Sequence, residues 1–261
     1  MNEFKELRVE IDGHVAVVTL DSPPVNALTR ELNEEMLVAF DRLAETDEVR
    51  AIVLTGAGKC FCAGADLKGR AKYIKGPGDI LAHSRRTREC FHAIRECAKP
   101  VVAAVNGVAA GAGANFALGC DRVVAARSAS FIQAFSKIGL VPDCGGTWLL
   151  PRLVGRARAL GLALTGDKLS AEEAQRIGLI WQCVDDAALM DSAQALAAKL
   201  AALPSRALVD TRRALDAAAQ LDYAQALALE ARMQRELGRA HDFAEGVAAF
   251  RDKRAARFTD R

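Results

Sequence analysis

Residues 101–126 read VVAAVNGVAAGAGANFALGCDRVVAA, and the fold turns on how this stretch is divided. Val101 to Val105 is an unbroken β-branched and apolar run, the pattern of a buried strand. Asn106-Gly107 marks a turn, because these residues tolerate backbone conformations that bulkier ones avoid. The small residues that follow predict a helix starting near Gly111, and RVVAA, from Arg122, predicts a second strand. A strand, a helix and another strand in quick succession argue for an α/β layered domain.

The same grammar extends outward. VAVVTL (from Val15) and AIVLTG (from Ala51) read as further buried strands. Between them, Leu32, Met36, Phe40 and Leu43 recur every three or four residues, which is one buried stripe of a helix. A second helix is expected over 83–97, with Phe91 and Ile94 facing inward. After about residue 150 helices dominate. GRARALGLALTG and SAEEAQRIG are both helical, the latter with Ser170 and Glu173 placed as a capping box and Gly178 as a stop. A short strand, IWQCV, precedes alanine-rich helices ending near Pro204, over 207–219, over 223–237 and over 243–250. Such helices make a poor core alone. The expected organisation is therefore a core over 1–195 and a C-terminal helical region over 196–261 that packs on the core and on neighbouring subunits. One loop is expected over 68–79, where Gly76, Pro77 and Gly78 break any helix and Lys68, Arg70, Lys72 and Lys75 cluster. It reads either as a solvated surface loop or as a flap that meets an anionic ligand.

Bulk properties narrow the function. The chain of 261 residues carries a formal net charge of only +2 with both signs interleaved, so no broad face for nucleic acid or a membrane surface is visible. The seven cysteines are odd in number and lack paired CxxC spacing, which points to a reduced, cytoplasmic protein. Cys60 and Cys62 lack a second pair of ligands, and the four histidines form no HExxH pattern, so no metal is expected. The N-terminus has no apolar signal core.

Three glycine-rich segments could present backbone N–H groups to a ligand. TGAGKCFCAGADL, from Thr55, lacks the combined glycine–lysine–hydroxyl ending of a phosphate-binding loop and the GxGxxG spacing as well. The segment opening the helix near Gly111 offers the unpaired donors of a helix N-terminus, which can hold a developing oxyanion, although close helix–strand packing explains its small residues equally well. The third, GLVPDCGGTWLLPRL from Gly139, places Asp143 among apolar residues and glycines. That acid reads either as the cap of a helix starting near Thr147 or as a functional carboxylate.

In this order and spacing, FCAGADL, AAVNGVAAGAGANFALGCDRVVAA, FIQAFSKIGLVPDCGGTWLLPRLVGRARALGLALTG and LSAEEAQRIGLIWQCVDD resemble the enoyl-CoA hydratase/isomerase family, the crotonase superfamily, over nearly the whole chain. The resemblance implies an α/β fold built as a spiral of ββα units with a C-terminal helical trimerisation region, assembled as a homotrimer or a dimer of trimers. It also implies an acyl-CoA thioester substrate, with coenzyme A belonging to the substrate and no separate cofactor. Two backbone amides that grip the thioester carbonyl would be those of Ala65 and Ala112, with Gly111 and Gly113 permitting the approach. Ala63, Ala65, Asp66, Leu67 and Lys68 would frame the coenzyme A half, and the charged C-terminal segment RDKRAARFTDR reads either as an ordinary solvated tail or as a contributor to a neighbouring subunit's coenzyme A site.

The sequence departs from the hydratase pattern where it matters. The two positions that carry glutamates in hydratases read Asn115 and Phe135, and neither an amide nor a phenyl ring exchanges protons. Asp143 occupies the position of the acid in isomerase-type members, most like those acting on the ring 1,2-epoxide of phenylacetyl-CoA. Catalytic groups are thus expected at Asp143, Ala65 and Ala112, and a substrate pocket at Gly111, Asn115, Phe116, Phe135 and Trp148. The aromatics are candidates for walls of an acyl pocket or for plain core, and Asn115 for a pocket group or a satisfied buried amide. The expected reaction is isomerisation of an acyl-CoA, either epoxide to oxepin or 3-enoyl to 2-enoyl. Hydratase or hydrolase chemistry and a non-catalytic RNA-binding or scaffold role are the alternatives.

Overall fold

Every apolar run that reads as a strand from sequence is one, and each long strand after the first pair is followed by a short one that leaves for a second sheet. The computed structural model describes residues 4–73 and 75–260, with backbone alone at 70, 71, 73, 77, 80, 81 and 83. In chain order the elements begin β1 (Leu7–Asp12), β2 (Val15–Leu20), α1 (Arg30–Glu45), β3 (Ala51–Gly56), β4 (Cys60–Cys62), α2 (Leu67–Tyr73) and α3 (Pro77–Arg95). They continue with β5 (Val101–Val105), β6 (Val108–Ala110), α4 (Ala112–Gly119), β7 (Arg122–Ala126), β8 (Ser130–Ile132), a 3-10 turn (Ala134–Ile138), α5 (Gly146–Thr165), β9 (Lys168–Ser170), α6 (Ala171–Arg176) and β10 (Gln182–Val184). A second 3-10 turn (Asp186–Ala188) leads into α7 (Leu189–Ala201), α8 (Ser205–Ala218), α9 (Tyr223–Leu237) and α10 (His241–Arg251).

The larger sheet has the order β1-β2-β3-β5-β7-β10 and the smaller one β4-β6-β8-β9. Apart from the β1/β2 hairpin and the β8/β9 pair, the strands run parallel. Parallel strands need crossovers and are covered on both faces. Accordingly β3 and β5 are buried at every position, with α7 packed on β3, β5 and β7. The units β3-β4, β5-β6 and β7-β8 each send a long strand to one sheet and a short one to the other, which is the spiral of ββα units. The three-residue strands β4, β6, β8 and β9 were not anticipated, being too short to show a period of two.

The expected loop over 68–79 is instead two helical ends. Gly76 caps α3, Pro77 takes its first turn, where the missing N–H costs nothing, and the Asp79 carboxylate accepts from the Lys75 and Gly76 amides at 2.9 and 3.2 Å. Residues that break a helix interior here begin one. Lys68, Lys72 and Lys75 are exposed, whereas the side chain of Arg70 lies outside the described residues. The capping box at α6 is half realised: Ser170 Oγ accepts from the Glu173 amide at 3.2 Å, but the Glu173 carboxylate turns to Arg176. Residue 195, the expected end of the core, sits inside α7 on the sheet. Helices α8 to α10 begin after Pro204, and α8 is tied down by Arg212, which donates to Asp121 at 3.0 Å and to the Cys97 carbonyl at 2.5 Å, and by Arg95 on Asp216 at 2.5 Å. The basic tail folds back on its own chain, through Arg254 on Glu245 and the Thr259 and Asp260 amides on Asp242. Among the described residues no helix is long and apolar enough to cross a membrane.

Candidate active site

The site is assembled from the ends of two short strands. Leu28 forms an isolated parallel bridge with Ala65, donating to the Gly64 carbonyl at 2.7 Å and accepting from the Asp66 amide at 3.5 Å. In that pattern the bridged residue's own N–H and C=O point away from its partner, so the Ala65 amide faces out of the pairing. Gly64 has φ +82° and lies hard against the next strand's end: a methyl group there would fall 2.6 Å from the Ala110 carbonyl oxygen and 3.4 Å from the Ala112 nitrogen. The Ala65 and Ala112 amides are therefore neighbours. Ala112 opens α4, where backbone N–H groups have no partner within the helix and the dipole is positive. Gly111, at φ +55°, makes the turn that lets α4 start there, its own amide held by the Ile132 carbonyl at 2.8 Å. Gly113 is equally constrained, since a methyl on it would meet the Cys62 carbonyl at 2.4 Å.

Asp143 is carried by the turn before α5. Cys144 and Gly145 both hold left-handed backbone, with φ of +45° and +74°, and the Asp143 carbonyl accepts from the Gly146 amide at 2.9 Å. Gly145, and not Asp143, is the N-cap, so the helix-capping reading of this acid is not realised. The residue is half-buried with Oδ1 shielded from solvent. Asn115 Nδ2 donates to the Asp143 carbonyl at 2.8 Å. Asn115 is one turn beyond Ala112 on α4, about 4.5 Å along the axis at 1.5 Å per residue, so the acid's backbone is clamped to the helix that supplies an amide donor.

The candidate aromatics separate. The Phe135 ring lies beside Gly111, its Cζ 3.7 Å from where a Cβ there would stand. Phe116 is wholly buried in the core. Trp148 faces away, into a cavity of about 630 Å³ between α4, α5 and α8, with the Arg152 and Arg95 guanidinium carbons 4.1 and 5.4 Å from its ring. None of Ala65, Ala112, Asn115 or Asp143 lines that cavity. Of the residues expected to frame coenzyme A, Ala63 donates its amide to the Val25 carbonyl at 3.0 Å, Asp66 caps α2 by accepting from the Gly69 amide at 2.9 Å, and Leu67 and Lys68 are exposed.

Three thiols surround this machinery without competing with it. Burial pushes the Cys62 thiol up to about 12. Burial, and then the neighbouring Asp143 carboxylate to which it hydrogen-bonds, drives the Cys144 thiol far higher. Cys90, also up at about 12 through burial, donates to the Asn33 carbonyl. All three remain protonated at neutral pH, and only the thiolate is strongly nucleophilic.

Two supporting residues escaped the sequence reading. Gln133 is buried and donates to Asn115 Oδ1 at 2.9 Å. Asn26, at φ +53° and 2% exposed, donates to the carbonyls of Ala57, Cys60 and Phe61 and accepts from the Ser22 amide. It pins the segment bearing Leu28 to β4. Each buried group left unmatched costs about 1–3 kcal/mol. Asn26→Ala is expected to lower stability by roughly 3 kcal/mol in urea unfolding and to reduce turnover as well, because Leu28 no longer holds Ala65 in register. The only signal was an asparagine between prolines and an apolar run.

A spiral of ββα units with two neighbouring backbone amides where two of its units meet defines a class, and the sequence matches the enoyl-CoA hydratase/isomerase family over residues 10–261. The chain belongs to that family. It is 47% identical over 252 residues to the 1,2-epoxyphenylacetyl-CoA isomerase of Escherichia coli K12, covering 95% of this chain and 96% of the relative. It is 48% identical over 259 residues to a Rhodobacter capsulatus protein named "Probable enoyl-CoA hydratase", covering 99% of each. Among solved structures, the enoyl-CoA hydratase of Bacillus anthracis superposes with a TM-score of 0.93 at 32% identity, over 98% of this chain and 100% of that one. The protein is an enzyme of this family, and an acyl-CoA thioester is the substrate that fits it.

Proposed function

We propose that the enzyme is an acyl-CoA isomerase in which Asp143 transfers the proton and the Ala65 and Ala112 amides hold the thioester oxygen. The observation that carries this reading is the pair of positions occupied by Asn115 and Phe135. With no general acid or base at either, Asp143 is the acid whose backbone is clamped to α4, at the residue one turn beyond Ala112. For a 3-enoyl-CoA, Asp143 takes a proton from C2 and the electron pair moves onto the thioester oxygen as a dienolate. The protonated Asp143, whose carboxyl proton exchanges with solvent in the meantime, then delivers a proton to C4, leaving the double bond between C2 and C3. Atoms balance with no water consumed and one acid sufficing. The E. coli relative's name supports the ring 1,2-epoxide of phenylacetyl-CoA as substrate, converted to the isomeric oxepin by the same opening proton transfer. Large exposed apolar side chains on the terminal helices, Tyr223, Phe243 and Phe250 at 80%, 58% and 87%, support a homotrimer or a dimer of trimers.

The R. capsulatus relative's name favours a second reading, hydration of a 2-enoyl-CoA. Incubation with 3-enoyl-CoA and, separately, 2-enoyl-CoA in ¹⁸O-water separates the two. Isomerisation predicts growth of the conjugated-thioester absorbance from the first substrate and no ¹⁸O-labelled 3-hydroxyacyl-CoA from the second. Labelled hydroxyacyl product formed faster than the conjugated one overturns the isomerase reading.

A further inference from the structure

Behind the Asp143 turn lie two buried amides whose hydrogen bonds can run in only one direction. Asn115 is completely buried and Gln133 is 4% exposed. A backbone carbonyl only accepts, so Asn115 must turn its NH₂ to the Asp143 carbonyl, 2.8 Å away. Its Oδ1 then faces Gln133, which must supply its own NH₂, at 2.9 Å. Turning either amide over would set two acceptors face to face. Gly146 leaves room for the arrangement, since a methyl there would stand 2.5 Å from Asn115 Nδ2 and 3.0 Å from the Pro142 Cβ. Gln133 Oε1 ends the chain, buried and with no hydrogen-bond partner among the described residues. A side chain whose task was to fill this space would be apolar, because an unmatched buried acceptor costs about 1–3 kcal/mol.

We propose that Gln133 is a positioning residue for Asp143. It fixes which way Asn115 faces. Asn115 in turn anchors the Asp143 backbone to α4, so the separation between the acid and the Ala112 amide is set by one turn of rigid helix and two oriented side chains. This rests on Asp143 being the base. The role is exerted on the step Asp143 performs, not on substrate binding.

Gln133→Met keeps length and volume but removes the donor, and kinetics on a 3-enoyl-CoA read the effect. A displacement of the order of an ångström at a reacting group costs up to about 10²-fold in rate. The expected result is a fall in kcat of roughly tenfold or more with KM within about twofold of wild type. A wild-type kcat, or a loss confined to KM, overturns the proposal. Gln133→Glu preserves the shape should the methionine variant fail to fold. Its carboxyl group donates to Asn115 when protonated and repels it when ionised, so the ratio of variant to wild-type kcat is expected to fall as pH rises. A ratio independent of pH overturns it. The charged groups around position 133 are Asp143 beyond Asn115, Lys137 on the following turn, and Lys168 on β9 opposite the preceding residue. Asp143→Asn, assayed alongside, separates the two claims. Retained turnover in that variant defeats the base reading whatever Gln133 does, whereas lost turnover there with a normal Gln133→Met defeats the positioning role alone.

Discussion

Asp143→Asn is expected to lower kcat on a 3-enoyl-CoA by about 10²–10⁴-fold, the range over which a positioned general base contributes. On this reading the substitution removes the base and keeps the backbone contacts of the turn. The contact that holds the turn is made by the Asp143 carbonyl, which accepts from Asn115 Nδ2 and from the Gly146 amide, and a side-chain amide leaves both bonds in place. Cys144 can still donate its thiol proton, to an amide oxygen in place of a carboxylate. The melting temperature is accordingly expected to stay within a few degrees of wild type, and an acyl-CoA ligand to bind with similar affinity. In heavy water the wild type should place deuterium in product and in recovered substrate, followed by mass spectrometry, while the variant places little in either. Retention of turnover by the variant removes Asp143 from the mechanism. Loss of exchange with loss of ligand binding makes it a binding group instead.

The central strands of the larger sheet were legible because they are buried on both faces, whereas β1, exposed at Arg8, Glu10, Ile11 and Asp12, was not read as a strand. A strand such as Ile52 to Leu54 must be apolar throughout when α7 covers one side and the spiral the other, and that constraint writes an unbroken run into the sequence. The second sheet was not legible, since β4, β6, β8 and β9 have three residues each and take their pairing from neighbours set by the larger sheet. The start of α3 failed for a different reason. Gly76-Pro77-Gly78 contains breakers of a helix interior that are starters at its first turn, and only the Asp79 carboxylate reaching back to two amides decides between the readings.

Within the site the legible part was the backbone. Gly111 and Gly113 were read as permitting close approach, and the structure places Gly111 at a positive-φ turn and Gly113 against the Cys62 main chain. The direction of the side chains was illegible. Phe116, Phe135 and Trp148 look alike as candidate walls, yet only Phe135 lies beside Gly111, because α4 turns Phe116 into the core and α5 turns Trp148 towards α8. Gln133 left no mark at all. Its meaning depends on Asn115, eighteen positions earlier in the chain, and no local pattern links the two.

Gly64→Ala is expected to cost about 10²–10³-fold in kcat, the loss that follows removal of one oxyanion donor, with stability falling as well. At φ +82° a side chain is strained whatever the space around it, and here there is no space: the added methyl would fall 2.6 Å from the Ala110 carbonyl oxygen. That oxygen belongs to the last residue of β6, backbone that cannot rotate aside as a side chain could. Relief must come from moving the 64–65 peptide, and this peptide carries the Ala65 amide. The Leu28 bond to the Gly64 carbonyl, at 2.7 Å, opposes the movement and divides the cost between lost stability and a displaced donor. Gly58→Ala is the matched comparison, at φ +70° but with open space around its Cβ position, so it carries the conformational strain without the clash. Kinetics and urea unfolding on both variants separate the two terms. Gly58→Ala should lose about 1–2 kcal/mol of stability and little kcat, and Gly64→Ala should lose both. Equal kcat values for the two variants would mean that the Ala65 amide tolerates displacement and is not the donor on which the reaction depends.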